Sequence, residues 1–159
     1  MPGLPPLIEE DVQSLHSALD GLLQKSDAAA VILIDKGGPV IACRGDAEQF
    51  DVTTIAALAA GSFCATQAIA ERLGETNFAS IYQQGERLSL LFCNVDDNVL
   101  LIVIFRAALS AGAVKYFSAE TIRQIVRQLD RAQRRAPGQS LDLVSENVLD
   151  ITSVFSKKQ

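Results

Sequence analysis

Apolar residues recur along this chain with a period that changes from segment to segment, and the changes mark out the elements. From Glu9 to Lys25 the apolar positions Val12, Leu15, Leu19, Leu22 and Leu23 keep helical spacing on a polar background. Ala28 to Ile34 and Pro39 to Cys43 read as two strands joined by Asp35-Lys36-Gly37-Gly38, where glycine accepts the positive φ of a tight turn. A long helix follows over residues 51–73, with Asp51 as its N-cap and Gly74 placed to close it. Three strands come next, Phe78 to Gln83, Arg87 to Asn94 and Val99 to Arg106. Their connections, Gln84-Gly85-Glu86 and Asp96-Asp97-Asn98, are short enough to permit only antiparallel neighbours. A last helix starts at Ser110 or Ser118 and carries Ile122, Ile125, Val126 and Leu129 to the core, with Pro137-Gly138 expected to end it near Ala136.

The order α-β-β-α-β-β-β-α predicts an α+β fold: a three-layer α/β/α sandwich around a five-stranded antiparallel sheet. Residues 1–7 are read as a loose N-terminus, residues 8–136 as one domain, and residues 137–159 as a linker and a C-terminal amphipathic tail. In that tail Leu141, Val144, Val148, Ile151 and Phe155 repeat at intervals of three and four, a narrow helical stripe. It reads equally as an extension without a partner or as a segment laid in a partner's groove.

The long helix has two apolar faces. Ile55, Leu58, Phe63, Ile69 and Leu73 are bulky and are expected to pack on the sheet. Ala57, Gly61, Cys64 and Ala68, with Ala60 and Ala65 beside them, form a stripe that buries little area but lets another backbone approach closely. A helix apolar on most sides is covered on most sides. The expectation is core on one face and a protein interface on the other.

Composition narrows the function. A net charge of −5 argues against general nucleic-acid binding, and the longest apolar run, Val99 to Phe105, is too short to span a membrane. Three widely spaced cysteines, 43, 64 and 93, match neither a disulfide framework nor a metal site, which points to a reducing cytoplasm. Arg123, Arg127, Arg131, Arg134 and Arg135 share one helix and read as a solvated face. His16 has no partner spaced for catalysis, Cys64 has no cation beside it, and no phosphate-binding glycine loop is present. No catalytic residue, cofactor or metal site is expected.

Three stretches carry a family likeness: A-V-I-L-I-D-K-G-G-P-V-I-A, D-V-T-T-I-A-A-L-A-A-G, and L-S-L-L-F-C-N-V-D-D-N-V-L-L-I-V-I-F. The chain resembles the roadblock/dynein light chain family over roughly residues 8 to 135, and its tail resembles that of the MglB-type bacterial branch. The resemblance implies a homodimer with long helices paired antiparallel and sheets joined at the edge strand holding Phe78, Ser80 and Tyr82. It also implies a Ras-like small GTPase of the MglA type as partner, in cell polarity or motility. The docking platform would be Thr54, Ala57, Ala60, Gly61, Cys64, Ala65, Ala68 and Arg72. On this resemblance the chain activates the GTPase without supplying an arginine. A non-catalytic scaffold on the same platform is the alternative, and a small-molecule sensor or an enzyme using Cys64 or Arg44, Arg72, Arg87 or Arg106 is a third. No membrane and no nucleic acid enters this reading.

Overall fold

The structure, a computed structural model, describes residues 3–155, with side chains described through residue 135. Helix α1, Glu9–Ser26, opens with the Ile8 N–H donating to the Asp11 carboxylate at 2.9 Å and closes at Asp27, which takes the left-handed conformation. Strands β1, Ala30–Asp35, and β2, Val40–Gly45, form a hairpin whose turn holds Gly38 at φ 121°. A short 3-10 turn, Ala47–Gln49, leads into α2, Val52–Leu73. Strands β3, Ser80–Gln83, β4, Leu88–Asn94, and β5, Val99–Arg106, follow, then α3, Ala111–Phe155.

All pairings are antiparallel, and the strand order is β2-β1-β5-β4-β3. Strands β1 and β5 lie inside the sheet and are apolar on both faces. Val31, Leu33, Leu101, Val103 and Phe105 face α1 and α3, where Leu15, Leu19, Leu22, Ile125 and Leu129 complete one core. Ala30, Ile32, Ile34, Leu100, Ile102 and Ile104 face α2 in a second core. The three layers and the element order are those the spacing predicts.

Strand ends shift by one or two residues from the sequence reading, and three boundary differences have a local cause. Strand β3 begins at Ser80, because the Phe78 carbonyl accepts from the Gln67 side chain of α2 at 3.3 Å and takes no strand partner. Helix α3 starts at Ala111, with the Ser110 hydroxyl accepting from the Ala113 N–H at 3.3 Å. The helix also does not stop at Pro137-Gly138 but runs on to Phe155. A proline inside a helix removes one N–H and costs about 3 kcal/mol, but it leaves later turns free to continue where they carry a helical period of their own. The side chains of Leu141, Val144, Val148, Ile151 and Phe155 lie outside the described residues.

Asp11 ties α1 to α3. Its carboxylate is buried and accepts from Arg135 and from Gln128, the latter at 2.7 Å, besides capping Ile8. One of the arginines read as a solvated face, Arg135, therefore reaches across to α1 while its side chain stays 44% exposed, because a buried carboxylate requires a charged partner. The Arg135 guanidinium holds the Asp11 carboxyl below the ordinary value of 3.8, against the opposing effect of burial. A depressed pKa contributes stability that is complete above the unfolded value and is lost as pH falls through the folded one. Asp11→Ala is expected to cost about 2 kcal/mol at neutral pH. Its deficit should shrink as pH falls below about 4, where the unfolded chain's carboxyl takes up its proton before the folded one does. Urea unfolding at pH 7 and pH 3 measures both effects.

Ser89 is a local fault in the first core. It is fully buried, pairs with Phe105 across β4 and β5, and its hydroxyl has no hydrogen-bond partner among the described residues. The ring of its partner Phe105 stacks with that of Tyr82, with centroids 6.1 Å apart. Ser89→Ala removes the unpaired hydroxyl and is expected to stabilise the fold by about 1 kcal/mol, a rise in Tm of roughly 2–4 °C by thermal unfolding.

Candidate functional site

The Asp51 carboxylate starts α2 by accepting from the Thr54 N–H at 3.2 Å and from the Thr54 hydroxyl at 2.7 Å. Gly74, at φ 77°, ends it in the left-handed conformation. Between them the helix presents Ala56, Ala59, Ala60, Phe63 and Ala70 to the sheet. The sheet face beneath is built of large side chains, Ile32, Ile34, Leu100, Ile102 and Ile104. A close-packed layer needs small residues opposite large ones, and alanines supply them. Lys36 pins this helix to two turns: its Nζ lies 5.1 Å from the centre of the Phe63 ring and donates to Asn94 Oδ1 and the Asp96 carbonyl, each at 2.6 Å.

That arrangement corrects the reading of the two faces. Phe63 is buried and Ile55 half-buried, but Leu58, Ile69 and Leu73 stand 68%, 56% and 68% exposed. They are not the sheet-packing face. Ala60, placed by the family likeness on the docking platform, is buried against the sheet instead. The remaining platform residues, Thr54, Ala57, Gly61, Cys64, Ala65, Ala68 and Arg72, are all exposed. A methyl group added at Gly61 would meet nothing within 4 Å, so this glycine serves no contact inside the chain.

The exposed surface of α2 has two flanks. Ile55, Leu58, Ala59 and Ser62 border an open groove of about 220 Å³ whose other wall is Gln83 of β3 with Leu90 and Phe92 of β4. Ala57 lies on the opposite flank, beside Gly38 of the β1–β2 turn. At roughly 100° per residue, Gly61, Cys64 and Ala68 share the flank of Ala57, while Ile69 and Leu73 share that of Leu58. The helix is long and apolar enough to cross a membrane by length and composition. Its alanine row on the sheet and its place in a three-layer domain account for that character as part core, part surface.

Strand β3 is an edge strand with one side unpaired. Ser80 and Tyr82 lie on it, and Phe78 falls just before it. Gln83 belongs to both the edge strand and the groove, so the open side of the sheet and the bulky flank of α2 adjoin as one border. The sequence reading missed this border because it assigned the bulky side chains to the core.

Catalytic geometry is not assembled among the described residues. No cluster of three or more metal-ligating side chains occurs there. Cys93 is buried, which pushes its thiol up to about 11, and burial also raises that of the half-buried Cys43; a thiol so placed is a poor nucleophile. Cys64 is exposed on the small-residue flank. Arg44 pairs with Asp20 at 2.8 Å and Arg106 with Asp27 at 2.7 Å, both at the surface.

Comparison with known proteins agrees with this geometry. The family model for the Roadblock/LC7 domain matches residues 16–105. No curated protein sequence matches the chain. Among solved structures, Myxococcus xanthus MglB superposes with a TM-score of 0.75 at 28% identity, covering 80% of this chain and 96% of that one. The gliding protein MglB from Thermus thermophilus gives 0.75 at 27% identity, with 82% and 99% covered. An MglB described as having a tetrameric arrangement gives 0.76 at 27% identity, with 83% and 99% covered. A three-layer fold with an apolar helix left open on one side, matched by the domain model over more than half its length, identifies this chain as a member of the Roadblock/LC7 family.

Proposed function

We propose that this chain is a homodimeric, cytoplasmic activator of a Ras-like small GTPase of the MglA type, acting in cell polarity or motility. The observation that carries the reading is the exposed apolar surface of α2. Leu58, Ile69 and Leu73 form one flank, and Ala57, Gly61, Cys64 and Ala68 the other. A soluble domain does not leave so long an apolar helix to water. The family resemblance, together with the likeness to MglB structures, supports this class of partner.

The two flanks divide the work. The bulky flank and the β3 edge meet a second copy, whose α2 runs antiparallel and fills the groove beside Leu58 and Leu90. The paired helices then offer their small-residue flanks as one platform. A surface of alanine and glycine lets a switch loop of the GTPase approach the helix backbone. Activation on such a platform is positional: it orders the GTPase's own residues around the γ-phosphate. This chain contributes no residue to the bond-breaking step.

A single-turnover GTP hydrolysis assay with the Ras-like GTPase of the same organism tests the reading. Added protein should raise the rate severalfold or more. An unchanged rate with retained binding would leave a scaffold on the same platform.

A further inference from the structure

We infer that the valley between α1 and α3 is a docking groove for an acidic helix of another protein, held by Arg127, Arg131 and Arg134. The proposal does not depend on the GTPase reading.

Helices α1 and α3 pack on the sheet face opposite α2. Between them lies an open groove of about 470 Å³, bordered by Ser14, Ser17 and Ala18 of α1 and by Gln124, Arg127, Gln128 and Arg131 of α3. No carboxylate borders it, and each of its polar side chains is a donor. A smaller hollow of about 200 Å³ adjoins it at Arg127 and Arg131, where Arg134 and one acid, Asp130, complete the border. The three arginines are exposed. Steps of four and three keep them on one side of the helix, over a rise of roughly 10 Å.

The neighbouring cations are already matched. Arg123 pairs with Glu120 at 2.6 Å, and Arg135 is taken by Asp11. Arg127 reaches the same Glu120 only at 3.8 Å, and Arg131 and Arg134 make no ion pair among the described residues. The Gln128 amide is given to Asp11 at 2.7 Å. Three arginines beside a single aspartate therefore form a row whose charge the described part of the fold does not neutralise.

Shape and charge select the occupant. Ser14, Ser17 and Ala18 are small, so the α1 wall is low and a third helix can rest against both helices at once. A helix with carboxylates at steps of four and three repeats the spacing of the arginines, and the guanidinium fork suits a carboxylate. No exposed large apolar residue borders the groove, so nothing there would enter a bilayer. A net charge of −5 gives no long-range attraction for a nucleic acid or an anionic membrane. A second copy facing this groove across a two-fold axis would set one arginine row against the other. An acidic helix of a different protein meets none of these objections, and it leaves α2 clear.

The test uses the full chain and a labelled alanine-based peptide of about 20 residues with glutamates at steps of four and three, long enough to be helical in water. Fluorescence anisotropy at about 50 mM salt, where screening is weak, reads the affinity. Arg131→Glu should weaken binding roughly tenfold or more, the loss of one charge-assisted pair and its replacement by a like charge. Arg87→Glu makes the same charge change at an exposed arginine outside the groove and should stay within about twofold of wild type. Ser17→Trp fills the groove without altering charge and should weaken binding severalfold. The same peptide with glutamine in place of glutamate should not bind. If Arg131→Glu does not fold, as judged by circular dichroism, Arg134→Gln carries the comparison. Equal affinity for wild type and Arg131→Glu, an equal loss from Arg87→Glu, or full affinity in Ser17→Trp would overturn the assignment. So would a DNA duplex or a phosphatidylserine vesicle held as tightly as the peptide and released by Arg131→Glu, or a fall in the mass of the chain itself, by light scattering, in that variant.

Discussion

Ala68→Arg is expected to abolish stimulation of GTP hydrolysis while leaving a folded dimer, and Cys64→Arg should do the same. Both positions are exposed on the small-residue flank of α2, on the side away from the β3–β4 groove. Neither touches the sheet, so the fold has no reason to change. A partner backbone seated against that flank would meet a long cation where it needs a methyl group or a thiol. Displacing the loop, or burying the charge without a counterion, costs about 3 kcal/mol or more, roughly two decades in affinity. Titrating the GTPase with wild type and variant, and weighing each by light scattering, separates the effects. Wild-type turnover from either variant would remove this flank from the mechanism.

The second large effect is expected from Leu58→Asp combined with Ile69→Asp, which should convert the dimer to a monomer. The two side chains are 68% and 56% exposed in the single chain, so their replacement costs the isolated fold little. In a two-fold dimer four such side chains are covered, and each fully buried aliphatic chain contributes about 1.5–3 kcal/mol. Losing roughly 6 kcal/mol or more, and gaining buried carboxylates, exceeds what a micromolar to nanomolar dimer tolerates. The monomer should keep its thermal transition, and it should also fail to activate, since the platform needs two helices. A variant that remains dimeric would place the interface elsewhere.

These two predictions draw on different levels of information. Element order, strand boundaries to within two residues, the Asp51 cap, the Gly74 stop and the turn at Gly38 were all legible in the sequence, because each depends on local backbone preference or on a short-range period. The apolar runs of β1 and β5 likewise declared themselves as strands. The exposed small-residue stripe of α2 was legible too, since alanine and glycine at helical spacing bury too little to be an efficient core.

What local pattern left open was settled by neighbours distant in the chain. Leu58, Ile69 and Leu73 have the hydrophobicity of core residues, and only the crowded isoleucines of β1 and β5 decide that α2 turns its alanines inward. Ala60 moves from surface to core for the same reason, since helical spacing gives a relative angle and the sheet supplies its zero. Arg135 is one of five similar arginines on one helix, and what singles it out is Asp11, 124 positions away. Phe78 leaves the edge strand because Gln67 of α2 takes its carbonyl. Sequence by itself determined which segments form and which surfaces are apolar; the tertiary structure alone decided which apolar surface is spent inside the fold and which stays exposed, because burial depends on side chains that the chain brings together only when it folds.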